Sequence, residues 1–210
     1  AVDRDVALSA SEPIIWGLDV ARYGGDNSAL CVRQGNTVLE LKSFQSMDLM
    51  QLCGAIKNKY DDCTALERPQ EILIDVIGLG SGLVDRLAEQ NLPVRGINVA
   101  EAPANKKNYL NLRAELWFGI KDWLAQRDCR LPNDDELVSE LAAPIYKYTS
   151  SGKIKLESKE EMRKRGIKSP DKADALSLTM ASSAASFSGS MSFMGYNFRQ
   201  PLKSKIIRIG

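Results

Sequence analysis

Histidine is absent from the 210 residues, so the side chain that most often serves as a general base or as a nitrogen ligand for metals is missing. No apolar run approaches the roughly 18 residues that suggest a membrane-spanning helix, and we expect no membrane component. The four cysteines form no C-x-x-C pair and have no metal-ligand spacing, which favours reduced thiols in a cytoplasmic protein. The net charge of +1 argues against a uniformly basic nucleic-acid coat.

The apolar content of 44% is sufficient for the core of one domain, and the elements follow a regular order. Three strands separated by turns predict an antiparallel meander at 14–20, 28–33 and 37–42. Two further strands, 71–76 and 94–99, alternate with helices and predict parallel pairing. A long helix at 109–126 and a last helix capped by Ser169 follow, with a hairpin between them. This order predicts an α/β protein with an RNase H-like fold, in which helices flank a central mixed sheet.

Three aspartates lie where chemistry is expected. Asp19 is in the apolar segment I-I-W-G-L-D-V, Asp75 ends I-L-I-D-V, and Asp174 is in the helix start S-P-D-K-A-D-A-L-S-L. A carboxylate on a buried strand costs several kcal/mol unless it is paired or binds a metal. In an RNase H-like sheet the first and fourth strands are neighbours, so Asp19 and Asp75 would lie side by side and the last helix would present Asp174.

This grouping predicts a site for two divalent cations roughly 4 Å apart, with Asp19 as the bridging ligand. Oxygen ligands in a chain without histidine favour Mg²⁺ or Mn²⁺ over zinc. Without metal, clustered carboxylates repel one another, and at least one pKa should rise. Asp171 shares a helical face with Asp174 and is either a further ligand or an acid that the helix dipole favours at this position.

A basic run precedes the last helix, and it is either a DNA-binding surface or an ordinary solvated face. If the aspartates form a nuclease site, the run lies beside it in sequence, and the hairpin 144–157 is a plausible flap against the DNA backbone. The candidate DNA-binding residues are Lys153, Lys155, Arg163, Lys164, Arg165 and Lys168.

Three segments together resemble the C-terminal nuclease domain of the large terminase subunit of tailed double-stranded DNA phages, of the short-tailed, headful-packaging type. They are G-L-D-V-A-R-Y-G-G-D-N-S-A (17–29), I-L-I-D-V-I-G-L-G-S-G-L-V-D-R-L (72–87) and S-P-D-K-A-D-A-L-S-L (169–178). The resemblance implies a metal-dependent endonuclease that cleaves concatemeric phage DNA during genome packaging. It places the acidic triad of the family on Asp19, Asp75 and Asp174, and Asp171 where some relatives have a histidine or a further acid.

The same resemblance divides the chain and names its partners. We expect a nuclease domain at 13–185, a linker at 1–12 from an N-terminal ATPase domain of a longer chain, and a basic, mobile tail at 186–210. The implied partners are double-stranded DNA, the portal protein and the small terminase subunit. The implied location is the host-cell cytoplasm, at the procapsid portal.

Other functions remain open from the sequence. An RNase H-like resolvase or ribonuclease shares the metal chemistry, and a non-catalytic portal-docking module would use the acids structurally. Actin-like and sugar-kinase ATPases begin with a similar Asp–Gly hairpin, but they need two such domains and an adenosine-binding Gly-Gly motif that this chain lacks. Metal-dependent cleavage distinguishes the nuclease from the docking module.

Overall fold

The computed structural model describes residues 2, 4–8, 11–21 and 27–182. The predicted tail at 186–210 lies outside the described residues, as do positions 1, 3 and 9–10 of the predicted linker. The domain boundaries stay predictions.

A mixed sheet forms the centre of the described chain. Its strands are β1 (Ile14–Asp19), β2 (Ser28–Gln34), β3 (Thr37–Phe44), β4 (Glu71–Asp75) and β5 (Val94–Ile97). They lie in the order β3-β2-β1-β4-β5. The first three pair antiparallel, whereas β4 is parallel to both β1 and β5, as predicted. The two central strands, β1 and β4, are therefore neighbours although the chain between them is long. A separate hairpin consists of β6 (Tyr146–Tyr148) and β7 (Ile154–Leu156).

Helices cover both faces of this sheet. They are α1 (Leu49–Asp62), α2 (Gly80–Glu89), α3 (Leu112–Ala125), α4 (Asp135–Ala142), α5 (Lys159–Lys164) and α6 (Asp171–Thr179). On one face, Leu18 and Ile74 pack with apolar side chains of α1 and α2. On the other, Ala29 and Cys31 pack with α3 and α6. Among the described helices, none is long and apolar enough to cross a membrane.

Helix α6 lies almost directly on β1. A Cβ added to Gly17 would come 2.1 Å from the carbonyl oxygen of Ala175, so only glycine permits this approach. At the far end of the helix, the buried guanidinium of Arg33 on β2 donates to the backbone oxygen of Thr179 at 2.8 Å and to its hydroxyl at 2.9 Å. Because the helix is held at its middle and at its carboxyl end, the acids in its first turn have a defined position above the sheet.

The start of α6 differs from the sequence prediction. The helix begins at Asp171 with Pro170 as N-cap, so Ser169 is not the cap, and none of the described side chains caps it in the usual way. Instead, Glu140 of α4 accepts the backbone N–H of Ala173 at 2.8 Å. A proline at the N-cap cannot supply a side-chain acceptor, and a neighbouring helix takes over that task.

Candidate active site

Two aspartates stand at the carboxyl ends of the two central strands. The register of the parallel pair joins Ile15 to Glu71 and Leu18 to Ile74, so its continuation by one residue brings Asp19 beside Asp75. Alternate residues of β1 face α6, since Gly17 touches that helix and Asp19 follows on the same side. Both predicted carboxylates therefore meet at the same edge and on the same face of the sheet.

The first turn of α6 brings two more acids to this place. Asp171 and Asp174 are both buried, 8% and 7% exposed, and both line the same cleft as Asp19 and Asp75. Oδ2 of Asp171 accepts the backbone N–H of Asn27 at 3.1 Å, which ties the helix to the chain entering β2. The structure thus brings together all four aspartates singled out in the sequence.

A lysine lies at the centre of these acids. The ammonium of Lys159, the first residue of α5, lies 3.0 Å from Oδ2 of Asp19 and 3.1 Å from Oδ2 of Asp174. It is also 3.8 Å from Oδ1 of Asp171. One positive charge thus balances part of the negative charge of three buried carboxylates. Lys159 was not among the site residues predicted from the sequence.

The surroundings shift the pKa values of these groups in different directions. Burial raises the pKa of Asp19 to about 7, against the attraction of Lys159 and with the help of the neighbouring Asp174 and Asp171. Burial also raises the pKa of Asp75. For Asp174, burial acts in the same sense, but the positive charges of Arg113 and Lys159 outweigh it, and its pKa is lowered. The sequence predicted that at least one pKa would rise through repulsion; the pKa values of Asp19 and Asp75 are raised, with burial as the largest cause.

Lys159 responds to the same charges in the opposite sense. Burial by itself would lower the pKa of its ammonium, but the attraction of Asp19, Asp174 and Asp171 outweighs burial and raises it. The lysine is therefore positively charged throughout the physiological pH range. It acts in the metal-free chain as a fixed internal counter-ion.

The acids lie in an open cleft of about 390 Å³. Of the predicted DNA-binding residues, Lys155 of β7 and Arg163 of α5 line it. Lys155 also stands directly opposite Lys147 in the hairpin, and two like charges across a strand pair are unfavourable without an anionic partner. Both lysines lie close enough to Glu161 to lower the pKa of its carboxyl, after the larger effect of a backbone hydrogen bond at Ser158.

The other predicted DNA-binding residues do not line the cleft. Arg165 donates to both carboxylate oxygens of Glu157, at 2.7 and 2.6 Å, and to the carbonyl of Ala143 at 2.9 Å. It therefore fastens the base of the hairpin to the end of α4. The side chains of Lys164 and Lys168 are exposed and do not line the cleft, and Lys153 is half-buried beside the hairpin turn.

The donor set fits a divalent cation that prefers oxygen. Asp19 and Asp174 are buried acids that a cation would stabilise, and Oδ2 of Asp174 already has the ammonium of Lys159 3.1 Å away. In the geometry of the described chain, no three acidic side chains are spaced to hold one ion. The ammonium of Lys159 occupies the space between three of them and shows that a positive charge is held there. A bound cation and this lysine would share the same carboxylates.

Solved structures of phage terminase nucleases superpose on this chain. A mutant nuclease domain of the large terminase subunit of bacterial virus Sf6, with manganese and beta-thujaplicinol, superposes with a TM-score of 0.72 at 22% identity. The match covers 83% of this chain and 90% of that one. The chain has the fold of the nuclease domains of phage large terminases. This result confirms the predicted RNase H-like α/β fold.

Two more distant structures have the same terminase-nuclease fold. The large terminase nuclease of thermophilic phage G20c, with bound magnesium, gives a TM-score of 0.62 at 15% identity, with 82% of each chain covered. The nuclease domain of Thermus phage P74-26 gives 0.60 at 14% identity, with 82% of this chain and 80% of that chain covered. No protein-family model and no curated protein matches the sequence.

Two further residues contact Asp174, and this contact was not predicted from the sequence. The indole N–H of Trp117 donates to Oδ1 of Asp174 at 2.8 Å, and Arg113 approaches the same oxygen at 3.3 Å. Arg113 also donates to the backbone oxygen of Glu157 at 2.6 Å. Both side chains come from α3, one turn apart. Their spacing is equally typical of a helix packed on a core, so no sequence signal distinguishes them.

Proposed function

We propose that this chain is a metal-dependent DNA endonuclease, the nuclease domain of a phage large terminase subunit that cleaves concatemeric DNA during genome packaging. The observation that supports it best is the meeting of four aspartates from β1, β4 and α6 in one cleft. The fold that the chain shares with solved terminase nucleases also supports the proposal. Two of those structures contain manganese or magnesium.

In this proposal Asp19, Asp75 and Asp174 hold two Mg²⁺ or Mn²⁺ ions, and Asp171 is a further ligand or supports the others. Such ions, when bound, activate water and stabilise the leaving oxyanion of a phosphodiester. Lys159 keeps the carboxylates grouped when they carry no cation. The hydrogen bond from Asn27 and the packing of α6 on Gly17 hold the acids in place.

The DNA strand is bound by the basic side chains at the mouth of the cleft. Lys155 and Arg163 line the cleft together with the acids, so a phosphate contacting them lies near the carboxylates. The hairpin that carries Lys155 packs on α3 through Tyr146, whose ring meets Phe118 edge to face at 5.2 Å. The hairpin is therefore a supported arm that presents its lysines to the backbone of the substrate.

We also propose that the domain acts within a longer chain that includes an N-terminal ATPase domain. Its further partners would be the portal protein and the small terminase subunit, at the procapsid portal in the host cytoplasm. The support for these partners is the resemblance of the sequence motifs and of the fold to large terminase subunits.

Plasmid nicking tests this function. The wild-type chain is incubated with supercoiled DNA in Mg²⁺, in Mn²⁺ and in EDTA, beside Asp75→Asn and the control Asp85→Asn. Asp85 is an exposed acid on α2 and does not line the cleft. We expect metal-dependent nicking that Asp75→Asn abolishes and Asp85→Asn retains.

Two results would contradict the proposal. Nicking by the purified chain that persists both in EDTA and in Asp75→Asn would show that cutting requires neither a metal nor this carboxylate. A folded chain that binds Mn²⁺ and DNA without cutting would favour the non-catalytic docking module.

A further inference from the structure

The two oxygens of Asp174 have different environments. Oδ1 is directed towards α3, where Trp117 donates its indole N–H at 2.8 Å and Arg113 approaches at 3.3 Å. Oδ2 faces the other acids, and the ammonium of Lys159 lies 3.1 Å from it. A carboxylate without such contacts could rotate and interchange the positions of its two oxygens. Here the donors from α3 keep Oδ1 on their side.

Trp117 is well suited to hold it. Its indole is 7% exposed and packs against the guanidinium of Arg113, with 5.8 Å between the guanidinium carbon and the ring centroid. An indole N–H is a donor only, and it neither titrates nor carries a charge. It can therefore orient the carboxylate without removing the negative charge that a cation needs. A lysine at this position would compete with the cation.

We propose that Trp117 is a positioning residue that holds Oδ1 of Asp174, so that this aspartate meets a divalent cation through Oδ2. The inference rests on the proposed metal-dependent function and adds to it the orientation of one ligand. It gives Trp117 the role that outer hydrogen-bond partners have in metal sites, where their loss typically weakens metal binding 10–100-fold. The alternative is that Asp174 merely satisfies a buried indole.

The same helix offers a matched control. Trp123 lies on α3, is fully buried, and donates its indole N–H to Oδ1 of Asn36 at 2.9 Å. Trp123→Phe therefore removes an indole N–H and its hydrogen bond, as Trp117→Phe does, but this bond is only partly buried and its acceptor does not line the cleft. If Trp117 had only a structural role, Trp117→Phe and Trp123→Phe should change Mn²⁺ affinity to a similar extent.

The test is a Mn²⁺ titration followed by the electron paramagnetic resonance signal of free Mn²⁺, without DNA. We expect Trp117→Phe to weaken Mn²⁺ binding about tenfold or more, and Trp123→Phe to stay within about twofold of wild type. Unchanged affinity in Trp117→Phe, or an equal loss in both variants, would overturn the inference.

A second measurement needs no change at Trp117. In a ¹H–¹⁵N spectrum of the wild-type chain, the three indole signals are assigned with Trp16→Phe and Trp123→Phe. Saturation with Mg²⁺ should shift the Trp117 indole signal and leave that of Trp123 in place. An unmoved Trp117 signal at saturation would overturn the inference even if Trp117→Phe failed to fold.

The results also separate this inference from the proposed function. If the wild-type chain binds Mn²⁺ and cuts DNA while Trp117→Phe binds Mn²⁺ equally well, only the positioning role fails. If the folded wild-type chain neither binds Mn²⁺ nor cuts, the proposed function fails and the positioning role fails with it.

Discussion

The ammonium of Lys159 lies 3.0 Å from Oδ2 of Asp19, although 140 residues separate the two along the chain. The contact joins the start of α5 to the end of the central strand β1. It places a permanent positive charge where the proposed function requires divalent cations. If divalent cations bind these carboxylates as proposed, the ammonium would compete with them, so Lys159 would stabilise the metal-free form and oppose metal binding.

Replacing Lys159 with methionine should lower the stability of the metal-free chain and increase the stabilisation by metal. Three buried carboxylates lose their counter-ion, and breaking such a group costs about 3 kcal/mol. For a chain of this length the melting temperature in EDTA should fall by roughly 5–10 °C. Addition of Mn²⁺ should then raise it by more than in wild type, since no ammonium competes for the acids.

Lys164→Met is the control for this comparison, because Lys164 is an exposed lysine of the same helix that does not line the cleft. Differential scanning fluorimetry in EDTA and in Mn²⁺ gives, for each variant, the melting temperature without metal and the rise that Mn²⁺ causes. The interpretation is wrong if Lys159→Met melts like wild type in EDTA, or if Mn²⁺ stabilises it less than it stabilises wild type.

Asparagine at positions 19 and 174 should have opposite effects on the metal-free chain. At pH 7 and above, Asp19→Asn should melt at or above the wild-type temperature, because it relieves the burial of a charge whose pKa is raised to about 7. Asp174→Asn should melt lower, because the lowered pKa of Asp174 shows that its surroundings stabilise the charged form. Melting in EDTA at pH 7.5 checks both directions.

The pH dependence of Asp19→Asn gives an independent check. An aspartate with a raised folded pKa binds its proton more tightly when folded, so it contributes a loss of stability as pH rises from about 4 to about 7. The free energy of unfolding in EDTA should therefore fall less steeply over this window in Asp19→Asn than in wild type. Identical slopes would contradict the raised pKa. The stability that Asp174 contributes is lost only at lower pH, as its own carboxyl becomes protonated.

The sheet and the acids could be predicted because local patterns determine them. Apolar strands separated by turns predicted the antiparallel meander. The strand–helix–strand order predicted the parallel neighbours that bring Asp19 beside Asp75. The capping box of Ser158 with Glu161 is a signal of the same local kind, and the structure contains it at the start of α5. Ser169 failed as a cap because the chain satisfies the start of α6 through Glu140, a contact between helices that no local pattern shows.

The roles of Lys159 and Trp117 could not be predicted for a related reason. Each reaches its acid through the packing of one helix against another, and a charged or aromatic residue on a helix is ordinarily solvated or packed in the core. Arg165 is the opposite case. It was predicted to bind DNA because it lies in the basic run, but its guanidinium pairs with both carboxylate oxygens of Glu157. Charge in a sequence indicates a surface, but the partner of each charge depends on the tertiary structure.

Alanine at position 17 should destabilise the chain and reduce metal-dependent cutting. The added methyl group would overlap the carbonyl oxygen of Ala175, a backbone atom that cannot turn aside, and α6 would have to move with Asp171 and Asp174. Overpacking of this kind costs about 3 kcal/mol, or roughly 10 °C in melting temperature. Gly54→Ala is the matched control, because a Cβ there meets nothing within 4 Å and alanine favours helix α1 by about 1 kcal/mol. Equal melting temperatures for the two variants would refute the close packing of α6 on β1.

Glutamine at position 155 should reduce the salt dependence of DNA binding. Lys155 lines the cleft beside the acids and faces Lys147 across the hairpin, so it is placed to contact a phosphate. Loss of one phosphate contact reduces the slope of log K against log salt by about 0.9. The measurement is fluorescence anisotropy of labelled duplex DNA between low and moderate salt, in an Asp75→Asn background that leaves the DNA uncut. Lys168→Gln, which removes an exposed lysine outside the cleft, should keep the full slope. If Lys155→Gln and Lys168→Gln reduce the slope of log K against log salt equally, the DNA contacts the whole basic run rather than the mouth of the cleft.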